Sequence, residues 1–185
     1  MVRGISIIII VLLVFFSSVF SEEEIPRDGL SPTELEALRQ HSKGTESMLA
    51  DKFKEAIFYF KKAIEFNPGF TEAYYNLGIT YEKLGKYKDS IEALERVIQL
   101  EPDHANAYYA LGYAYYQLKK YNDAVAAFKQ SIKIKPDNAF AHSKLGHVYI
   151  LKGDEEAARE HYEVLKTLNS TMASELYHEI IKGKK

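Results

Sequence analysis

Tyr74, Leu77, Gly78 and Tyr81 recur 34 positions later as Tyr108, Leu111, Gly112 and Tyr115. A further 34 positions on, the pattern returns as His142, Leu145, Gly146 and Tyr149. Each block is followed at matching offsets by a small residue and then an apolar or aromatic one: Ser90 and Leu94, Ala124 and Phe128, Ala158 and Tyr162. Pro102 and Pro136 close the first two units. A fixed period of this size dictates stacked helix pairs, because no single pair can bury its apolar face alone.

One step back along the period, Pro68, Ala56, Phe60 and Gly44 fall in register, whereas Gln40, Lys43 and Ser47 replace the aromatic, Leu and Tyr. With these residues in place, the chain resembles the tetratricopeptide repeat family. The resemblance implies an all-α, right-handed solenoid of antiparallel helix pairs. It covers three good repeats, about 71–104, 105–138 and 139–172, and a degenerate first repeat at about 37–70.

Inside each repeat the residues have plain physical duties. A helix turns about 100° per residue, so Tyr74, Leu77, Gly78 and Tyr81 share one face. Leu and Tyr fill the space within a pair, and Gly78, Gly112 and Gly146 let a neighbouring helix come close. Helices are expected from about 71 to 84, 87 to 100, 106 to 118, 121 to 134, 140 to 152, and after Gly153 to about 168. Ser31-Pro32-Thr33-Glu34 is a capping box that starts an earlier helix near Pro32. Asp103 and Asp137 are expected to cap the helices after their prolines. Lys119 stands where the other turns carry Gly85 and Gly153, a costly choice if the backbone there is left-handed. Leu176, Tyr177, Ile180 and Ile181 have helical spacing within Ser174 to Lys182, so a capping helix at about 171–182 should cover the stack, giving a repeat domain over 31–182.

The N-terminal segment is of another kind. Arg3 precedes a run from Ile5 to Phe16 that is apolar except for Ser6, followed by Val19-Phe20-Ser21 and the acidic Glu22-Glu23-Glu24. The run is shorter than the roughly 20 apolar residues a spanning helix needs. Residues 1–21 read as a signal peptide cleaved after Ser21, or alternatively as an uncleaved membrane anchor, and 22–30 as a flexible linker. Either reading places the repeats outside the cytoplasm, periplasmic or secreted, unless an anchor inserts the other way round.

Composition excludes several functions. The 185-residue chain has no cysteine, hence no disulfide, thiolate zinc site or cysteine nucleophile. Its net charge of −2 implies no nucleic-acid partner. The six histidines make no i,i+4 pair on one helix, and neither a phosphate loop nor a nucleophile elbow is present. His142, His147 and His161 are a poor candidate metal set, and His142 is expected to hydrogen-bond in the place of a core aromatic. No catalytic constellation is found, so no enzyme activity, metal or cofactor is expected. Asn169-Ser170-Thr171 is a glycosylation sequon or a helix-boundary cap.

Partner binding is the function that remains. In the family that this chain resembles, the first helix of each pair lines a concave groove. Carried across residue by residue, the groove presents Tyr75, Asn76, Ile79, Glu82 and Lys83, then Asn106, Tyr109, Tyr113, Tyr116 and Gln117, then Phe140, Lys144, His147 and Ile150. The spacing of Tyr109, Tyr113 and Tyr116 makes one aromatic stripe, with large contact area at low entropy cost. Part of that stripe could equally pack on the adjacent helix. Some relatives clamp the C-terminal carboxylate of chaperone peptides; here Asn76 and Lys144 match that clamp, but His41, Thr45, Asn106 and Ala110 do not. The expected role is an exported adaptor or assembly factor that binds a protein or peptide. The alternatives are a self-assembling homo-oligomeric scaffold and a membrane-tethered subunit of a larger envelope complex.

Overall fold

The computed structural model describes residues 29–182; the N-terminal apolar run and the proposed cleavage point lie outside them. Among the described residues the chain is entirely helical, without strands. Helix α1 (Pro32–Leu49) pairs with α2 (Phe53–Phe66), α3 (Thr71–Lys83) with α4 (Tyr87–Leu100), α5 (Ala105–Gln117) with α6 (Tyr121–Ile134), and α7 (Ala139–Leu151) with α8 (Glu155–Leu168). Helix α9 (Ser170–Lys182) follows.

Each pair is closed by a ring or branched side chain seated over a glycine. A Cβ on Gly44 would lie 2.6 Å from the Phe60 ring, one on Gly112 2.6 Å from Phe128, and one on Gly78 2.9 Å from Leu94. At its glycine the first pair is as close as the others despite its degenerate sequence. The fourth differs: Gly146 is filled by Leu176 of α9, and not by Tyr162 of its own pair. Tyr162 instead packs against Tyr177, with ring centroids 5.3 Å apart. Helix α9 thus touches both α7 and α8, as α7 touches α5 and α6.

The contacts also define two layers. First helices α3, α5 and α7 touch in succession, whereas among the described residues α4, α6 and α8 do not approach one another. The layer whose members lie closer together is the inside of a curve, so the first helices form the inner wall. The core lies between the layers, with Phe60, Leu94, Val97, Phe128, Leu145, Val148 and Leu165 fully buried.

Local chemistry departs from expectation at the helix starts. Asp103 and Asp137 do not cap; His104 Nδ1 accepts from the Ala107 amide at 3.1 Å and Asn138 Oδ1 from the Ala141 amide at 3.2 Å. The helices begin at Ala105 and Ala139, one residue earlier than expected, and the side chain directly before the first turn reaches its free amides. The last helix begins at Ser170 because Asn169 Oδ1 accepts from the Met172 amide at 3.0 Å. At the turns, Lys119 has φ +59° beside Gly85 at +70° and Gly153 at +78°, and Asp51 takes the same conformation at +56°.

Candidate partner-binding face

The inner wall carries the residues singled out by the sequence. Tyr75, Asn76 and Ile79 lie on α3, Tyr109, Tyr113, Tyr116 and Gln117 on α5, and Phe140, Lys144 and His147 on α7. All are half-buried except Phe140, whose side chain is 60% exposed. Because α5 sits between α3 and α7, its three tyrosines occupy the middle of the wall.

Ring contacts tie the aromatic residues together. Tyr75 meets His104 at 5.1 Å between centroids, and Tyr109 packs between Phe128 at 5.8 Å and Phe140 at 6.3 Å. Tyr113 lies 6.4 Å from Tyr116, accepts a hydrogen bond from Gln117 Nε2 at 2.6 Å, and has the Lys144 ammonium 5.8 Å above its ring. Asn76 Nδ2 donates to His41 Nε2 at 2.9 Å, so His41 is neutral there, in keeping with burial lowering its pKa.

Tyr116 is a brace between helices. Its ring packs against Tyr121, and its hydroxyl lies 3.1 Å from His147 Nε2. His147 Nδ1 in turn contacts the Glu179 carboxylate on α9, which accepts, so Nδ1 carries a hydrogen while Nε2 faces the Tyr116 hydroxyl. The sequence reading did not include Glu179. A signal was present, because Glu179 stands one period after Leu145, where the repeats carry a core leucine. His142 and His161 bond each other, 3.0 Å apart, away from His147, so the three histidines do not converge on one point.

Burial governs the electrostatics of the wall. Desolvation, then the negative charge of Glu82 and the neighbouring Tyr113 and Tyr75, push the Tyr109 hydroxyl up to about 12. The same first two causes raise Tyr75. Burial raises the Glu82 carboxyl as well, partly offset by Lys83. Tyr116 is raised by burial, then by Tyr121, Glu179 and Tyr113. These phenols therefore stay protonated near neutral pH and offer hydroxyl donors.

Family models described as Tetratricopeptide repeat match residues 75–139 and 115–169, and one described as TPR repeat matches residues 50–85. No match is found among curated proteins. Among solved structures, a crystal structure of MamA protein superposes with TM-score 0.70 at 24% identity, covering 80% of this chain and 91% of that one. MamA 41-end from Desulfovibrio magneticus RS-1 gives 0.69 at 25% identity over 73% of this chain and 76% of that one. The first TPR of Spaghetti (RPAP3), bound to the HSP90 peptide SRMEEVD, gives 0.64 at 22% identity over 65% and 95%. Three family matches that together span residues 50–169, on a stack of helix pairs, establish that the chain belongs to the tetratricopeptide repeat family.

Proposed function

We propose that this protein is a non-catalytic adaptor that holds an apolar-bearing segment of another protein along its inner wall. The observation that carries the reading is the row of half-buried aromatics on adjacent first helices, Tyr75, Tyr109, Tyr113 and the exposed Phe140. Such rings give area at low entropy cost, and their hydroxyls can bond a peptide backbone. The solved neighbour bound to an HSP90 peptide supports the general mode. The carboxylate clamp itself is not shared. Asn76 is engaged by His41, Lys144 stands over Tyr113, and His41, Thr45, Asn106 and Ala110 hold the remaining clamp positions.

The reading includes export. Its support is the apolar run Ile5–Phe16 ahead of Val19-Phe20-Ser21. N-terminal sequencing of native protein should begin at Glu22; a start at Met1 would favour the membrane-tethered subunit. The groove is tested by crosslinking in the native cells. Tyr113→Ala should abolish capture of the partner while costing only about 1 kcal/mol of stability, since this side chain is half-buried. Undiminished capture by that variant overturns the groove. Light scattering that shows a concentration-independent monomer removes the self-assembling alternative.

A further inference from the structure

Glu82 is a feature of the inner wall that a purely apolar ligand does not explain. It lies one turn beyond Ile79 on α3, half-buried, and among the described residues no hydrogen bond or ion pair engages its carboxylate. Partial burial without donors disfavours the charged carboxylate, which is why its pKa is raised, with Lys83 opposing. Its nearest cation in sequence, Lys83, is exposed and acts on it only through space.

The surroundings are aromatic and also lack partners. Tyr75 and Tyr109 both feel the Glu82 charge, and neither hydroxyl makes a hydrogen bond among the described residues. The Tyr75 ring packs on His104, and the Tyr109 ring on Phe128 and Phe140. Glu82 stands about two turns from Tyr75 on the same face of α3, and α3 touches α5, which carries Tyr109. A half-buried acceptor on a face it shares with π-systems is the chemistry that takes an ammonium or guanidinium group. Tyr113 next door already has the Lys144 ammonium over its ring, so the wall tolerates such a cation.

We propose that Glu82, with Tyr75 and Tyr109, forms a subsite for a lysine or arginine side chain of the captured segment. This rests on the protein-binding reading of the inner wall and specifies its partner: an apolar segment carrying a basic residue. Lys144 sets the direction. It disfavours a second cation at the α7 end, so the basic residue lies toward α3 and the apolar side chains toward Phe140.

Selection of phage-displayed random peptides on the full chain tests this. Selected peptides should share a Lys or Arg beside apolar residues, and replacing that Arg by its neutral isostere citrulline should weaken binding about tenfold. The difference should vanish in Glu82→Gln, whose melting temperature should not fall because a desolvated charge has been removed. Peptides that are lost on Tyr113→Ala but share no basic residue, or an Arg preference that survives in Glu82→Gln, overturn the subsite and leave the groove standing. Absence of any Tyr113-dependent peptide overturns both.

Discussion

His161 Nδ1 lies 3.0 Å from His142 Nδ1, and only one of the two can carry the hydrogen between them. The geometry decides which. His142 Nε2 is 3.0 Å from the Pro136 carbonyl oxygen, which only accepts, so a neutral His142 keeps its hydrogen at Nε2 and receives one from His161. The pair takes the place of the large aromatic found in the earlier repeats, and Tyr149 stacks on His161 at 5.8 Å with an interplanar angle of 10°.

Acid should therefore loosen the fourth repeat. Burial, with His142 and Lys129 adding to it, lowers the His161 pKa to about 4. The unfolded chain, near pKa 6.5, then binds the proton first. Stability is complete above about pH 6.5 and is lost as pH falls toward about 4, by on the order of 2 kcal/mol after solvent screening. Urea unfolding followed across that window should show the loss, and His161→Phe should remove this part of the slope.

Capping gives a sharper contrast between neighbours. Asn138 both accepts from the Ala141 amide and donates to the buried Ser131 hydroxyl at 3.1 Å. Asn138→Ala should cost about 1–2 kcal/mol, whereas Asp137→Ala should change stability by less than about 0.5 kcal/mol. Chemical denaturation of the two variants would reverse the assignment if the order came out the other way.

Lys119 holds a left-handed backbone at φ +59° without being glycine. Lys119→Gly should raise stability by up to about 1 kcal/mol by relieving that strain. Gly112→Ala should do the opposite by about 1–3 kcal/mol, because its Cβ would press on the Phe128 ring. Melting temperatures of the two variants should move in opposite directions.

Ser90 is fully buried, and its hydroxyl has no partner among the described residues. The corresponding positions in the other repeats are Ala56, Ala124 and Ala158. Ser90→Ala should be stabilising by about 1 kcal/mol, since an unsatisfied hydroxyl is removed at no loss of fit. A destabilised variant in calorimetry would show that the hydroxyl does find a partner.

The period made the helix pairs legible because Gly44, Gly78, Gly112 and Gly146 recur in register, even where Gln40, Lys43 and Ser47 obscure the first unit. Three things escaped. The caps at His104 and Asn138 differ from expectation by one residue, since proximity to the first free amides outweighs the preference for aspartate. The start of α9 depends on Asn169, which reads equally well as a sequon. Glu179 belongs to the network of Tyr116 and His147 only because α9 folds back against α7, and helical spacing alone does not place that contact.

The hollow over Gly146, closed by Leu176, bears on how the chain leaves the ribosome. The first three pairs each carry the side chain that covers their own glycine. The fourth has to wait for a helix synthesised after it, so during translation it remains ajar longer than its neighbours and presents apolar surface to chaperones or proteases for that interval.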